Sequence, residues 1–509
     1  MPDEGVDIES EDIGLAKKAS RGYLWSQIAR IIEFALIFVQ SIIIARFLGP
    51  EHQGYYAIII GFGQLISFFL NFGFEAVVNK YIAIYSDEKK KAAGLFLLIF
   101  KLRALIAFVT YSLIFIFAHR VALLLSNEML TPWLRIASIM FFTGLVYSPM
   151  EFLYVGRLRL KEISIIKSAN LLMTIILIYI VLRMGYGISG IVSMMAIVNL
   201  ITIIVIFIQT KDLYKETVVP SNLKPMFIFG LFLWLNGLVG FFIQKQIDVV
   251  FLSIFKLPGE QIGYYYIGVG LADRISMILI SGLFGVSLSA LYMAFKQGGY
   301  EKTKAAWWIL LKMSIGISVP ALTFVYLLGR DIIILFYGEE YIPAIVLFKA
   351  FVIVHLVLRT FGYDQHITAL YAIEKEKTVF LIRAIWGGIC IVAEILLIPV
   401  FGVWGALIAT SSSLIGVTFT EMIVIGRILG GYFPRGFFIK IALATIVSVI
   451  PIYFIPLFGI KAILVKGVIF VIILISMLLI IKPFDRSDYG YLSKSFPRFE
   501  RYIRLFSTI

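Results

Sequence analysis

The chain is built around the stretch GYYAIIIGFGQLIS (residues 54–67), which recurs as GYYYIGVGLADRIS (residues 263–276). The offset between the two copies is 209 residues, and they align without a gap. Aligned pairs along the two halves include Ser67 with Ser276, Lys101 with Lys312, and Gly187 with Gly402. A register kept with small slippage over about 130 residues indicates an internal duplication.

The composition predicts a membrane protein. Hydrophobic residues make up 61% of the 509 residues and charged residues only 15%, whereas soluble proteins hold about 25% charged residues. Aromatic residues, at 15%, suit the belts that line both membrane surfaces. The single cysteine, Cys390, excludes an intrachain disulfide, and four histidines leave little room for a zinc enzyme. We therefore expect neither a cofactor nor a metal.

A helix that crosses the hydrocarbon core needs about 20 apolar residues. Fourteen segments reach that length: 23–47, 55–82, 93–118, 132–155, 164–184, 187–209, 226–254, 262–294, 305–328, 342–372, 378–398, 401–426, 436–458 and 461–481. Alternate connections are rich in lysine and arginine, as in Lys89-Lys90-Lys91, whereas Arg120 and Arg330 stand alone in theirs. The positive-inside rule then places both termini in the cytoplasm and the chain in the cell membrane.

The formal net charge of +14 is accordingly a topology signal. Basic cytoplasmic loops attract anionic lipids of the inner leaflet. Membrane lipids are therefore the expected partners, and nucleic acid is not.

The repeat offset equals six spans, so both copies cross the membrane in the same direction. The sequence thus predicts an all-α protein with two six-helix bundles in parallel repeat. The predicted parts are a cytoplasmic N-terminal segment (1–22), an N-terminal bundle (23–209), a cytoplasmic linker (210–225), a C-terminal bundle (226–426), two additional transmembrane helices (427–482) and a cytoplasmic basic tail (483–509). Two rigid bundles can rock about a shared interface and open a central cavity to each side in turn, which predicts transport.

Several ionisable residues fall near the middle of the predicted spans, where each costs about 2.5–3.5 kcal/mol to insert. They are Arg274, Arg359, Lys245, His355, Asp248 and Asp273. In one interpretation they line a hydrated, cationic cavity that binds an anionic headgroup, since guanidinium groups hold phosphate through two hydrogen bonds. In the other, Lys245 with Asp248, and Asp273 with an arginine, are ion pairs that lock helices together. Both interpretations stand at this point.

A second group lies nearer the cytoplasmic ends of the spans and is our candidate for the inner mouth of the path. It comprises Arg30, Glu33, Lys101, Arg103, Lys312 and Arg383. The alternative is that these long side chains extend to the lipid headgroups. Glu75, Glu394 and Glu421 are candidate proton or cation sites, and the sequence does not single out one of them.

Short motifs carry a resemblance to a known family. Ala45-Arg46-Phe47-Leu48-Gly49-Pro50 precedes Gly54-Tyr55-Tyr56 after span 1, and Asp248, Gly263-Tyr264-Tyr265 and Asp273-Arg274 form the counterpart after span 7. With this placement the chain resembles the polysaccharide (Wzx-type) flippases of the multidrug/oligosaccharidyl-lipid/polysaccharide (MOP) exporter superfamily, over essentially its whole length.

The resemblance implies transport without covalent chemistry. A monomer would move an oligosaccharide linked to a polyprenyl pyrophosphate from the inner to the outer leaflet, with H⁺ or Na⁺ as a coupling ion. Two relatives in the same superfamily are alternatives, a lipid II-type flippase and a drug/cation antiporter. A membrane glycosyltransferase is disfavoured because the longest outer connections, 119–131 and 329–341, are short, and a structural scaffold would not explain charges inside spans.

Overall fold

The computed structural model describes residues 5–211, 215–243, 245–495 and 500–508, with the side chains of all except 5–29, 239, 245–246, 282–286, 494–495 and 502–503. Within these ranges the regular structure is helical, apart from one isolated bridge between Phe484 and Ser507. The all-α prediction is confirmed. Helices are the expected solution, because a helix satisfies its own backbone hydrogen bonds where lipid offers no partners.

The chain divides into two compact units. Unit 1 comprises Met1–Phe241 and Val249–Ile262, and unit 2 comprises Phe242–Asp248 and Gly263–Ile509. The predicted limits of the two bundles, at 209 and 226, stay predictions, and residues 212–214 of the predicted linker lie outside the described residues.

Unit 1 is built on helices that pack around an apolar core containing Phe96, Ile99, Met150 and Tyr154. These helices are α1 (Gly5–Phe69), α2 (Phe74–Ile84), α3 (Lys89–Ile116), α4 (Ala118–Leu124), α5 (Thr131–Gly156), α6 (Leu160–Arg183), α7 (Gly187–Thr210) and α8 (Lys224–Phe241). Helix α5 lies centrally, in contact with α3 on one side and α7 on the other, while α1 packs on α6.

Unit 2 has its own core, around Trp307, Leu311, Leu370 and Ile425. Two helices contribute residues to both units. Helix α9 (Lys245–Ile254) begins in unit 2 and ends in unit 1, and α10 (Gly259–Leu327) begins in unit 1 and continues in unit 2. The remaining helices are α11 (Gly329–Tyr337), α12 (Ala344–Thr360), α13 (Tyr363–Ala372), α14 (Glu376–Phe401), α15 (Val403–Leu429), α16 (Arg435–Tyr453), α17 (Gly459–Ile481), α18 (Arg486–Ser495) and α19 (Glu500–Leu505). Helix α14 packs on α15, and α16 on α17.

Eleven helices among the described residues are long and apolar enough to cross a membrane. Some are longer than one crossing: Arg30–Phe69 has 40 residues, with non-helical dihedral angles at Gly49, and Ser287–Leu327 has 41, with a break at Gly298 and Gly299. The chain is therefore a multi-span membrane protein, as its composition predicted.

Three predicted spans are interrupted by turns that the sequence did not reveal. The span 55–82 breaks between α1 and α2, the span 226–254 between α8 and α9, and the span 342–372 between α12 and α13. At the first break Gly73 has a φ of 74°, and a Cβ there would lie 1.9 Å from the carbonyl oxygen of Gly230. Only glycine fits that position, because both the left-handed backbone and the close approach exclude a side chain.

Candidate functional site

The break between α12 and α13 brings two opposite charges together. Gly362 takes a φ of 80° between the helices, and this turn places Arg359, near the end of α12, against Asp364 in the first turn of α13. Their side chains form an ion pair, and the Nε of Arg359 donates a hydrogen bond of 2.9 Å to the hydroxyl of Ser276. Arg359 is only 4% exposed. A membrane helix is thus interrupted where it carries a buried, paired guanidinium group.

A second guanidinium group lies beside the same turn. The ring of Tyr363 has the guanidinium carbon of Arg359 6.0 Å from its centroid and that of Arg383 5.6 Å from it. Arg383 also forms an ion pair of 3.2 Å with Glu421, which is fully buried. The sequence placed Arg383 in the inner-mouth group, and the structure shows that it contacts the same tyrosine ring as Arg359. We call Arg359, Arg383, Tyr363, Asp364 and Glu421 the arginine cluster.

Three more predicted residues lie around this cluster. His355 sits one turn before Arg359 on α12, and its Nε2 is 3.6 Å from a carboxylate oxygen of Asp273. Asp273 is also close enough to Arg359 to interact with it electrostatically. Arg274, the next residue, is half-buried and forms no ion pair with any side chain that the structure describes. Four of the six predicted mid-span residues therefore belong to one region of unit 2.

The fifth, Asp248, belongs to a separate buried group that we call the carboxyl pair. Asp248 is fully buried and accepts hydrogen bonds from the hydroxyls of Tyr265 and, at 2.8 Å, of Thr410. The carboxyl of Glu394, also fully buried, lies next to Asp248, and the thiol of Cys390 is 3.7 Å from Glu394. No lysine or arginine side chain within the described residues forms an ion pair with either carboxyl group.

Two carboxyl groups so close in a dry interior cannot both stay ionised at low energetic cost. They can share a proton, as paired carboxyls do elsewhere, or hold a small cation with the neighbouring hydroxyl oxygens. The sixth predicted residue, Lys245, lies in α9, and its side chain is outside the described residues. The proposed ion pair between Lys245 and Asp248 therefore stays a prediction.

Sequence reasoning missed Tyr265 and Thr410. Tyr265 does carry a signal, since it belongs to the repeated Gly-Tyr-Tyr motif, but a repeated aromatic residue is typical of packing. Thr410 has none, because threonines in apolar helices commonly bond to their own backbone. Glu394 was one of three candidate carboxyl groups, and the structure distinguishes it from the other two by placing it next to Asp248.

The inner-mouth candidates of unit 1 do not gather. Arg103 is 2% exposed and is held inside the unit by Glu75, at 2.9 Å, and by the carbonyl oxygen of Leu145. Glu33 is 3.5 Å from Lys167, while Arg30 and Lys101 are exposed. Lys312 of unit 2 lies against the segment that follows α17, with Asp488 2.6 Å away.

Unit 1 also contains an apolar crevice of about 330 Å³ between the end of α3 and the start of α5. Its walls include Phe108, Phe115 and Phe142. None of the predicted site residues lines it.

Comparison with known proteins gives one family and several solved structures of similar fold. Residues 43–346, more than half of the chain, match the family model described as a polysaccharide biosynthesis protein. No curated protein sequence matches the chain. The solved structure of the lipid II flippase MurJ in its inward closed conformation is similar with a TM-score of 0.71 at 18% identity, covering 90% of this chain and 98% of MurJ.

Two multidrug transporters share the architecture as well. An inward-facing MATE family transporter of the MOP superfamily gives a TM-score of 0.61 at 14% identity, covering 78% of this chain and 94% of that one. The Vibrio cholerae MATE transporter VcmN gives 0.51 at 14% identity, covering 81% and 98%. At such identities the matches show a common fold, the one that the sequence resemblance implied. The match over residues 43–346 then shows the family itself: the chain belongs to the polysaccharide biosynthesis proteins.

Proposed function

We propose that this protein is a flippase that moves a lipid-(pyro)phosphate-linked oligosaccharide, the repeat unit of a polysaccharide, from the cytoplasmic to the outer leaflet. The observation that carries the proposal is the arginine cluster of unit 2. Ionisable residues inside membrane spans usually mark the path of a substrate or ion, and interrupted membrane helices usually form part of its site. Membership of a polysaccharide biosynthesis family supplies the class of substrate.

The chemistry of the cluster suits a diphosphate. A guanidinium group presents parallel N–H donors that match two phosphate oxygens, and it stays charged in a low-dielectric site. Arg359 and Arg383 both contact the ring of Tyr363, and Asp364 and Glu421 act as counter-ions that an incoming diphosphate replaces. Arg274, which has no ion pair among the described residues, adds a further positive charge in the residue next to Asp273.

The carboxyl pair supports ion coupling. Asp248 and Glu394 come from different helices, α9 and α14, so a proton or Na⁺ bound between them stabilises one arrangement of these helices over another. Release of that ion leaves two adjacent negative charges, which repel each other. We propose that this change drives alternating access of the two six-helix bundles.

The remaining features of the proposal concern topology. Arg30–Phe69 is 40 residues long, about 60 Å at 1.5 Å per residue, or twice the hydrocarbon thickness of a bilayer. Counting this helix and Ser287–Leu327, of 41 residues, as two crossings each raises the eleven candidate spans of the described residues to thirteen, one fewer than the fourteen counted in the sequence. We propose that both termini are cytoplasmic, that the protein acts as a monomer, and that it performs no covalent chemistry.

The test is a reconstituted assay in liposomes. A polyprenyl-pyrophosphate-linked oligosaccharide is placed in one leaflet. A glycosidase that reaches only the other leaflet then measures how fast the oligosaccharide appears there. We expect Arg274→Ala and Arg359→Ala to slow translocation by about tenfold, the effect of losing one charge-assisted contact to a phosphate. Lys377→Gln, an exposed residue at the start of α14, is the control and keeps the wild-type rate.

A double variant separates binding from packing. Removing Arg359 alone also strands Asp364, whereas Arg359→Gln with Asp364→Asn removes both charges and keeps a polar side chain at each position. If Arg359 only locks the helices, the double variant recovers the rate. If it binds substrate, the double variant stays slow, and a recovered rate would remove the site assignment.

Two alternative transporters are separated by their cargo. A lipid II-type flippase would use the same arginine cluster, because lipid II carries the same diphosphate linkage. It is distinguished by transport of lipid II in preference to other lipid-linked saccharides. A drug/cation antiporter is favoured by the carboxyl pair alone, and uptake of ethidium driven by a proton gradient would support it.

A further inference from the structure

The side chain of Lys312 is bound by a part of the chain that lies outside the sequence repeat. Lys312 belongs to the second half of α10, in the predicted span 305–328, and is 5% exposed. Its Nζ is 2.7 and 2.6 Å from the two carboxylate oxygens of Asp488 and 3.2 Å from an oxygen of Asp485. Both aspartates follow the last membrane helix, α17.

The two aspartates are held in place before they meet the lysine. The backbone N–H of Asp485 donates to the carboxylate of Asp488 at 3.0 Å, and the backbone N–H of Asp488 donates to the carboxylate of Asp485 at 2.9 Å. This reciprocal arrangement caps the start of α18, where the helix dipole also favours negative charge. On the same face of α18, four residues on, Leu492 is buried with 5% exposure.

The two carboxylates differ in their ionisation. Burial pushes the pKa of Asp485 upward, but hydrogen bonds from Ser487 and from the backbone of Asp488, together with the charge of Lys312, hold it below its usual range. Burial raises the pKa of Asp488, against the hydrogen bonds and the charge of Lys312 that lower it. Asp485 therefore keeps a negative charge beside Lys312 even when Asp488 takes up a proton.

The same segment is attached to a second membrane helix. The ring of Phe484 packs on that of Phe437 in α16, with 5.2 Å between centroids, and Lys440 of α16 donates to the carbonyl oxygen of Lys482 at 3.0 Å. The end of the chain adds a contact, since the backbone N–H of Thr508 donates to the carbonyl oxygen of Phe484 at 2.9 Å. Residues 484–493, the latch segment, thus connect the predicted spans 305–328 and 436–458.

The repeat shows that this attachment belongs to one half only. Lys101 occupies the position equivalent to Lys312, and its side chain is exposed and forms no ion pair with a described residue. A lysine at this position therefore needs no partner to build the bundle. Lys312, in contrast, is buried and ion-paired to the latch segment.

We propose that the latch segment is an autoinhibitory clasp that ties the cytoplasmic ends of these two spans together and restrains transport until it undocks. The clasp has two states, docked and undocked. A buried lysine that loses its aspartates must regain water, so the loss of the ion pair and the undocking of the segment occur together. The inference rests on the proposed transport function for its effect on rate, but docking itself is measurable without any substrate.

Docking is tested by limited trypsin digestion at Arg486 in detergent-purified full-length protein. We expect Lys312→Met and the double variant Asp485→Asn with Asp488→Asn to raise the cleavage rate by about tenfold or more, as loss of a buried pair would predict. Lys312→Asp with Asp488→Lys restores protection, while Lys101→Met leaves it unchanged. Equal cleavage rates in wild type and in the variant with both Asp485→Asn and Asp488→Asn would overturn the docking.

The regulatory role is tested in the liposome assay with the same variants. Leu492→Glu is expected to undock the segment while Lys312, Asp485 and Asp488 are all retained. The outcome therefore does not depend on whether a Lys312 variant folds. We expect the undocked variants to translocate the lipid-linked oligosaccharide several times faster than wild type, and the charge-swapped pair to return to the wild-type rate. An unchanged or lower rate in protein with a cleavable segment would overturn autoinhibition, whereas a wild-type protein that moves no substrate would count against the proposed function instead.

Discussion

The turn at Gly362 gives a prediction that separates two physical costs. Gly362 has a φ of 80°, and a Cβ there would lie 2.7 Å from Leu311 Cδ1 and 2.8 Å from His366 Cε1. Both neighbours are fully buried, and His366 accepts a 3.3 Å hydrogen bond from Trp307, so neither can move aside freely. Gly362→Ala therefore meets a backbone cost and a packing cost at once.

The magnitude follows from adding the two costs. A left-handed backbone costs an L-residue about 1–2 kcal/mol, and forcing extra atoms into a packed core costs about 1–3 kcal/mol. We expect Gly362→Ala to reduce the free energy of unfolding by about 2–5 kcal/mol. It should also slow translocation, because Asp364 shifts relative to Arg359 when the turn opens.

Two other glycines isolate the components. Gly185 has a φ of 84° with no atom within 4 Å of the position that a Cβ would take, and Gly388 is helical with open space around it. Gly185→Ala should cost only the backbone term of about 1–2 kcal/mol, while Gly388→Ala should be neutral or stabilising by up to about 1 kcal/mol. The assay is thermal unfolding in one detergent, with the expected order Gly388→Ala, wild type, Gly185→Ala, Gly362→Ala from most to least stable. Equal midpoints for Gly362→Ala and Gly185→Ala would show that the close contacts at the turn do not exist.

Three further predictions concern single contacts. Glu75→Gln leaves Arg103 buried without its carboxylate and should destabilise the protein by about 3–5 kcal/mol, while adding Arg103→Met should recover most of the loss in the unfolding midpoint. Asp331→Ala removes the 2.7 Å hydrogen bond from the backbone N–H of Gly459 and should cost about 1 kcal/mol, with a fully retained unfolding midpoint arguing against that contact. Glu394→Gln should abolish the dependence of translocation on a proton or sodium gradient in liposomes without lowering the amount of folded protein, and a retained dependence would place the coupling ion elsewhere.

The helices were predictable because their signal is strong and local. The long apolar runs in the sequence are helical in the structure, three of them as two helices separated by a turn. The alternating basic loops give an orientation that awaits its own test. The breaks inside spans were not predictable. Gly73 and Gly362 lie in apolar surroundings where a glycine is equally typical of close helix packing, and only the neighbouring backbone or ring shows that a left-handed turn is required.

The sequence predicts the position of the candidate site residues along the predicted spans, but not the neighbours that their side chains contact. Counting residues from the ends of the predicted spans places Arg359 and Asp248 near mid-membrane, which stays a prediction; the structure shows that both side chains are buried in the protein. The same count assigned Arg383 to the inner mouth, because it gives a height along the helix and says nothing of which neighbour the side chain faces. Partners from distant parts of the chain, such as Asp488 for Lys312, could not be found from spacing at all.

The aligned serines of the repeat show why a duplicated fold does not imply a duplicated site. Ser67 and Ser276 occupy equivalent positions, yet the hydroxyl of Ser67 lies 2.7 Å from that of Tyr111, whereas Ser276 accepts a hydrogen bond from Arg359. A neutral hydroxyl pair stabilises packing and needs no water. The guanidinium group of Arg359 carries a charge that is paired with Asp364, and in the proposed function a substrate anion replaces that carboxylate. The repeat therefore supplies two similar frames, and the ionisable partner of Ser276 is the reason that we propose an anion site in the second half only.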